Sequence, residues 1–280
     1  MNINFAAIFV AKPNQTIDEK TISQLAHILG STQIEILNKN NQAGRAVQIL
    51  CEKKLHIPES FGLDVFFRPY PLQPIKLLVC DMESTIVENE FLDEIANYLG
   101  IGKKVEEITA RAMNGELDFE SALKERINLI KGLSQEEAQK ILQTRLKYNQ
   151  GASELIKGCK EAGIYCALVS GGFTMFTEFV ANELGFNEHR ANHLIFENGA
   201  LQGVTSPILG KEAKLEYLNN QCQKMDIETT QAITMGDGAN DLPMLHGAGL
   251  GVAYAAKPKV KAEIFSQINS GDLSSLLFAI

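Results

Sequence analysis

No stretch of the 280 residues approaches the roughly 18–20 consecutive apolar residues of a membrane span. Nor is there a long basic run, and the net charge is −8. A nucleic-acid partner, which demands clustered Lys and Arg, is therefore not expected. A small anionic substrate stays compatible with that balance, because a local site can be positive in an acidic protein. Cysteine pairs at CxxC spacing are missing too. The five cysteines, at 51, 80, 159, 166 and 222, are odd in number and read as reduced, mostly buried thiols of a cytoplasmic protein. Cys80 adjoins Asp81, but a nucleophilic thiol needs an activating base, so it reads as a core residue. No Lys or Arg precedes the apolar part of "MNINFAAIFVAKP", which reads as a first strand rather than a signal peptide. Low-complexity tracts and internal repeats are also lacking.

What is present is core material. Apolar residues make up 45% of the chain and charged ones 21%, enough for a packed globular interior. The length suggests one large domain with a smaller one. Residues 1–73 carry strand-like runs at Asn4–Ala11 and Ala46–Cys51. Between them a helix opens at Thr16-Ile17-Asp18-Glu19, which fits a capping box. This small α+β unit ends in "RPYPLQP" (68–74), whose three prolines read as a linker.

From residue 74 the pattern changes. Ile75–Cys80, Ile164–Val169, Ala232–Met235 and Leu250–Ala253 are short apolar runs with little alternation, as expected of strands buried on both faces of a parallel sheet. Helical patterns such as 173–185 and 211–225 separate them. The fold class is α/β, with a doubly wound parallel-sheet core. An insertion at about 89–150 is almost wholly helical, with stripes such as Phe91, Ile95, Leu99 and Phe119, Leu123, Ile127, and a cap at Ser134-Gln-Glu-Glu137. Leaving the core just after Asp81, it should lie over the C-terminal edge of the sheet as a lid.

Polar residues cluster at the strand ends. The first strand ends in Asp81-Met-Glu83-Ser-Thr85, the second in Ser170-Gly171-Gly172-Phe173, and a later one in Gly236-Asp237-Gly-Ala-Asn240-Asp241. Open parallel sheets bind ligands outside the carboxyl ends of their strands, so these sets should converge. Asp81, Asp237 and Asp241 supply hard oxygen ligands suited to Mg²⁺. Crowded carboxylates repel one another unless a cation neutralises them. Ser170 and the amides of Gly171 and Gly172, at a strand-to-helix turn, would attract an anion such as phosphate. Lys214, near the start of a helix, adds a point charge for the same oxygens. Together these groups make a phosphoryl-transfer site.

In this order, with "SGGF", "GDGANDLPML", "AAKP" and the lid stretch from Met113 to Phe119 and on to Arg126, the chain resembles the haloacid-dehalogenase-like phosphatases, and among them the phosphoserine phosphatases. The resemblance covers about residues 75–275. It implies a Rossmann-like core with a helical cap, Mg²⁺ as cofactor, and hydrolysis of O-phospho-L-serine through an aspartyl-phosphate, the closing step of L-serine biosynthesis. Asp81 would be the nucleophile. The residue two positions on, here Glu83, would be the general acid/base and lend its backbone carbonyl to the metal. Ser170 and Lys214 would hold the phosphoryl group, Asp237 and Asp241 the metal, and Asn240 would help place the phosphate. From the lid, Glu90 would take the substrate ammonium, Arg126 its carboxylate, and Phe119 would close over it. A zwitterionic phospho-amino acid does need one acid and one guanidinium. The 1–73 segment resembles an ACT-like or degenerate leader, expected to help form a homodimer, to bind an amino acid, or only to brace the core.

The departure is Glu83, where the family has aspartate. It keeps the carboxyl but is longer by one C–C bond, roughly 1.5 Å, and misplacement by about 1 Å can cost on the order of a hundredfold in rate. Two alternatives therefore stay open: a related small phosphomonoester or another acceptor alcohol, and a weakly catalytic phospho-ligand binding protein. Individually the residues have plainer readings. Asp81 could be a solvated turn acid and Lys214 a helix-surface lysine. Arg126 could pair along its helix, Glu90 could favour a helix start, and Phe119 could be lid core. His189 and His193 have helical metal-pair spacing but no third ligand nearby.

Overall fold

The computed structural model describes residues 2–37, 44–113 and 116–280. Asn114 and Gly115 of the lid stretch lie outside the described residues. The first unit is β1 (Phe5–Val10), α1 (Glu19–Leu29), β2 (Ile34–Leu37), β3 (Ala46–Cys51) and β4 (Asp64–Pro69). Its strands pair antiparallel in the order β2-β3-β1-β4. The expected cap of α1 is corrected in detail. Asp18, not Thr16, is the N-cap, and its carboxylate accepts the Thr21 amide at 2.7 Å. The expected linker is also shorter, since β4 runs through Arg68 and Pro69.

The core follows with β5 (Leu77–Cys80), then the cap helices α2 (Phe91–Tyr98), α3 (Gly102–Met113), α4 (Phe119–Leu129) and α5 (Gln135–Arg145), and α6 (Ala152–Glu161), which leads back into the sheet. Next come β6 (Tyr165–Phe173), α7 (Thr174–Leu184), β7 (Glu188–Asn192), β8 (Leu194–Glu197) and β9 (Ala200–Val204). The chain finishes with α8 (Lys211–Met225), β10 (Ala232–Gly236), α9 (Leu242–Gly247), β11 (Leu250–Tyr254), α10 (Pro258–Glu263) and β12 (Ser266–Ile268). Strands β12-β11-β10-β5-β6-β7 are parallel neighbours. Every residue of β5 is buried, which explains its unbroken apolar run. The Ser134–Glu137 capping box of α5 forms as expected.

The two units share one ten-stranded sheet, because β12 pairs antiparallel with β4 at Gln267 and Val65. A buried carboxylate ties the junction. Asp64 Oδ1 accepts the amides of Asn269, Ser270 and Gly271 at 3.0, 2.9 and 3.1 Å. One apolar cluster runs from Ile8 and Phe66 through Leu78 and Cys80 to Ile127 and Leu142 of the cap. β5 lies between β10 and β6, the strand-order switch at which such sheets open a crevice.

Candidate active site

The site is built on the ends of β5, β6 and β10. Asp81 continues the β5–β10 pairing, its amide donating to the Met235 carbonyl at 2.9 Å. Its Oδ1 accepts the Met82 amide at 2.8 Å and meets Lys214 Nζ at 2.8 Å. Lys214, in the first turn of α8, also donates to Asp241 Oδ1 at 2.6 Å. Asp81, Lys214 and Asp241 are 5%, 3% and 0% exposed, so this is a buried acid–lysine–acid bridge. Asp241 is fixed further by the Gly238 amide at 3.0 Å and by Asn240 Nδ2 at 3.4 Å. A Cβ at Gly236 would collide with the Asp241 carboxylate, so only glycine fits there. Asp237, also buried, meets Lys257 Nζ at 3.4 Å.

Ligand oxygens of Asp81, Asp237 and Asp241 lie within 4.8 Å of one another. Burial and then Asp241 push the Asp81 carboxyl up to about 8, against the pull of Lys214. Burial pushes Asp237 up as well, with Lys257 opposing. Burial works against the Lys214 ammonium, but Asp81 and Asp241 outweigh it and hold its pKa above the ordinary value. Such crowding of acids is what a cation relieves, and three oxygen donors with no nitrogen or sulfur suit a hard divalent ion.

Ser170, Gly171 and Gly172 stand where the core passes from strand to helix. They form the irregular end of β6, where the pairing with β7 shifts between Val169 and Phe173, and α7 starts directly at Thr174. The Gly172 amide donates to Ser170 Oγ at 2.9 Å. Asn192, 2% exposed, braces this loop by donating to the Gly171 carbonyl at 2.8 Å and accepting the Leu209 amide at 2.7 Å. Glu83 sits beside it, half-buried, its Oε1 accepting the Phe91 amide at 2.8 Å. The surrounding protein and then Glu90 push its carboxyl up to about 8, against the Phe91 amide.

A cavity of about 670 Å³ joins these groups to the cap. Asp81, Glu83, Glu90, Phe119, Arg126, Ser170, Gly171, Gly172, Lys214, Asp237 and Asn240 all line it, while Asp241 lies just behind, against Lys214. Glu90 accepts the Ser84 hydroxyl at 2.8 Å. Arg126, from the last turn of α4, donates Nε to the Ala122 carbonyl at 3.4 Å. Phe119 is 46% exposed, with its ring tip 3.5 Å from where a Gly171 Cβ would sit. It is thus not lid core. The histidines form no metal pair. His189 lies on β7 and meets Thr177 Oγ1, and His193 meets Thr174 Oγ1. Lys257, the lysine of "AAKP", has no role legible in the sequence, and only its contact with Asp237 brings it into the site. Asp93, on the cap wall near Arg126, gave no signal beyond an acid in a helix's first turn.

The family model for haloacid dehalogenase-like hydrolases matches residues 78–246. A phosphoserine phosphatase from Polaromonas sp. is 44% identical over 212 residues, which is 74% of this chain and 90% of that one. Among solved structures, a HAD family hydrolase from Salmonella enterica serovar Typhi superposes with a TM-score of 0.84 at 28% identity, over 98% of this chain and 97% of that one. A phosphoserine phosphatase solved as a phospho-aspartyl intermediate analogue gives a TM-score of 0.68 at 38% identity, over 74% of this chain and 100% of that one.

Proposed function

The chain belongs to the haloacid dehalogenase-like hydrolases, and on that premise we propose that it hydrolyses O-phospho-L-serine to L-serine and inorganic phosphate. The observation that carries the reading is the pairing of the cavity's two walls. One wall holds Asp81, Lys214 and Ser170, and the other holds Glu90 and Arg126. The first set suits a phosphoryl group and the second suits the ammonium and carboxylate of an amino acid.

In this reading Lys214 and Ser170 bind the phosphoryl oxygens, with Asn240 and the Gly171–Gly172 backbone beside them. The Asp81 carboxylate attacks phosphorus, and the bond to the seryl oxygen breaks. Glu83 protonates that oxygen, so serine leaves neutral at the hydroxyl. Glu83, now a carboxylate, takes a proton from water as the water attacks the aspartyl-phosphate, and the P–O bond to Asp81 breaks. Glu83 thus alternates between acid and base within one turnover, which is what a single carboxyl group beside both oxygens can supply. Mg²⁺ would be held by Asp81, Asp237, Asp241 and the Glu83 carbonyl. When bound it neutralises the acids and the charge on the phosphoryl oxygens.

Residues 1–73 and 74–280 are assigned as two units sharing a sheet, with the cap at about 89–150. Five free, buried cysteines support a cytoplasmic setting. A homodimer through the first unit is tested by light scattering on full-length and 74–280 chains, and an unchanged monomer mass in both would dismiss it.

Phosphate release from a panel of phosphomonoesters, with and without Mg²⁺, tests the function. Phosphoserine should exceed phosphoethanolamine, which lacks the carboxylate, and turnover should vanish without the ion. Preference for esters lacking a carboxylate would move the assignment to another small phosphomonoester. No metal-dependent turnover at all would make the chain a binding protein.

A further inference from the structure

The extra methylene of Glu83 has a physical use. Phe91, whose amide Glu83 Oε1 accepts at 2.8 Å, is the first residue of α2. The opening amides of a helix need partners, yet the N-cap of α2, Glu90, makes no side-chain capping bond. Its Oε1 accepts the Ser84 hydroxyl instead. Glu83 thus reaches from the core side into the first turn of the cap. At the other oxygen, Oε2 packs on the phosphate-side loop, where an ideal Cβ on Gly172 would lie 2.6 Å from Oε2 and 3.1 Å from Ser170 Oγ. One carboxyl group therefore spans two bodies, the β6 loop of the core and the start of the cap.

The surroundings fix both ends. The fully buried ring of Phe91 stacks on Phe176 of α7, with centroids 4.5 Å apart, which locates its amide. The two connectors to the cap are laced together. The Glu88 amide donates to the Lys147 carbonyl at 2.8 Å, and Asn89 accepts the Lys147 amide at 2.8 Å while donating to the Arg145 carbonyl at 3.0 Å. An aspartate at 83, shorter by roughly 1.5 Å, would not keep both contacts.

We propose that the Phe91 N–H is a positioning group for proton transfer: by holding Glu83 Oε1 it aligns the carboxyl with the reacting oxygen only while the first turn of the cap is seated on the core. The proposal rests on Glu83 being the general acid/base. Glutamate has one more rotatable bond to immobilise than aspartate, and the amide immobilises it. Oε2, beside Ser170, is left as the oxygen that gives and takes the proton.

The test replaces Phe91 by phenyllactate, which keeps the ring and turns the backbone N–H into an ester oxygen. Turnover of phosphoserine should fall roughly tenfold to a hundredfold, the scale of a misplacement near 1 Å, with KM little changed. In a Glu83→Gln background, where no proton can be transferred, the same ester should cost little further. Equal losses in both backgrounds would make the amide a structural contact and overturn the proposal. A second readout needs no substrate. Glu83→Asp should speed hydrogen exchange of the amides at 91–94, whereas Glu83→Gln, which keeps the acceptor, should not. Unchanged exchange in Glu83→Asp overturns the anchoring even if phosphoserine proves to be the wrong ester.

Discussion

The two walls of the cleft are built differently. The core wall is held by short bonds among buried groups, with Lys214 at 2.6 and 2.8 Å from two carboxylates and Gly238 and Met82 amides fixing those carboxylates in turn. The cap wall is looser. Phe119 and Glu90 are exposed, and Arg126 holds its own helix only by a long bond of 3.4 Å to the Ala122 carbonyl. Groups that meet developing charge gain from being fixed in advance, because no reorganisation is then needed during reaction. Groups that choose among substrates can be ordered by the substrate itself. The difference predicts that core-wall changes abolish the reaction, whereas cap-wall changes redirect it.

The largest effect should come from Asp81→Asn. An amide is not a usable nucleophile, so turnover should fall to background while the fold survives. Mass spectrometry of quenched wild-type protein should find a labile phosphate on the peptide containing Asp81. Robust hydrolysis by Asp81→Asn would mean that the core wall does not supply the nucleophile. Chelation comes next. Removing Mg²⁺ should stop turnover and lower the melting temperature, because an ion that binds only the folded state stabilises it by mass action. Restoring Mg²⁺ should raise the melting temperature of wild type, and much less that of Asp237→Asn. A melting temperature indifferent to Mg²⁺ would mean that the three acids hold no ion.

Much of the core wall was legible in the sequence, and the reason is geometric. A strand buried on both faces must be apolar throughout, so Leu77–Cys80 stands out, and the first polar residue after it, Asp81, is marked as the strand end. The same reading locates Ser170 and Asp237. The junction with the first unit was not legible. It depends on one strand pairing across about two hundred residues and on Asp64 capturing three amides, and neither leaves a local pattern. The bond from Glu83 to Phe91 was hidden for a related reason. Glu83 looked like a lengthened aspartate because a backbone amide has no letter in the sequence. Lys257 follows two alanines in "AAKP", a pattern with no acid adjacent to it in the chain, and only the fold brings it to Asp237.

On the cap wall, Arg126→Ala should cut kcat/KM for phosphoserine while sparing phosphoethanolamine, which has no carboxylate to lose. Removing a charged hydrogen-bond partner typically costs about 1.5–3 kcal/mol, or roughly tenfold to over a hundredfold. Equal losses on both esters would assign Arg126 to the frame and erase the distinction between the walls.

The smallest effect should separate two phenylalanines of the same cap. Phe91 is fully buried and stacked on Phe176, so Phe91→Ala should destabilise by about 3–5 kcal/mol, as large core truncations do. Phe119 is nearly half exposed and reaches over Gly171 from the first position of α4. Phe119→Ala should leave stability within about 0.5 kcal/mol, as for surface changes. Its cost should appear with substrate instead. Covering the remaining exposed part of a phenyl ring on closure is worth about 1 kcal/mol, a share of the 1.5–3 kcal/mol of full burial, and so about fivefold in kcat/KM. Phosphoserine and phosphoethanolamine should lose it alike, because the ring covers the site without reading the carboxylate. A melting-temperature drop in Phe119→Ala as large as that of Phe91→Ala would show that the ring packs as core, and that this part of the cap is as rigid as the sheet beneath it.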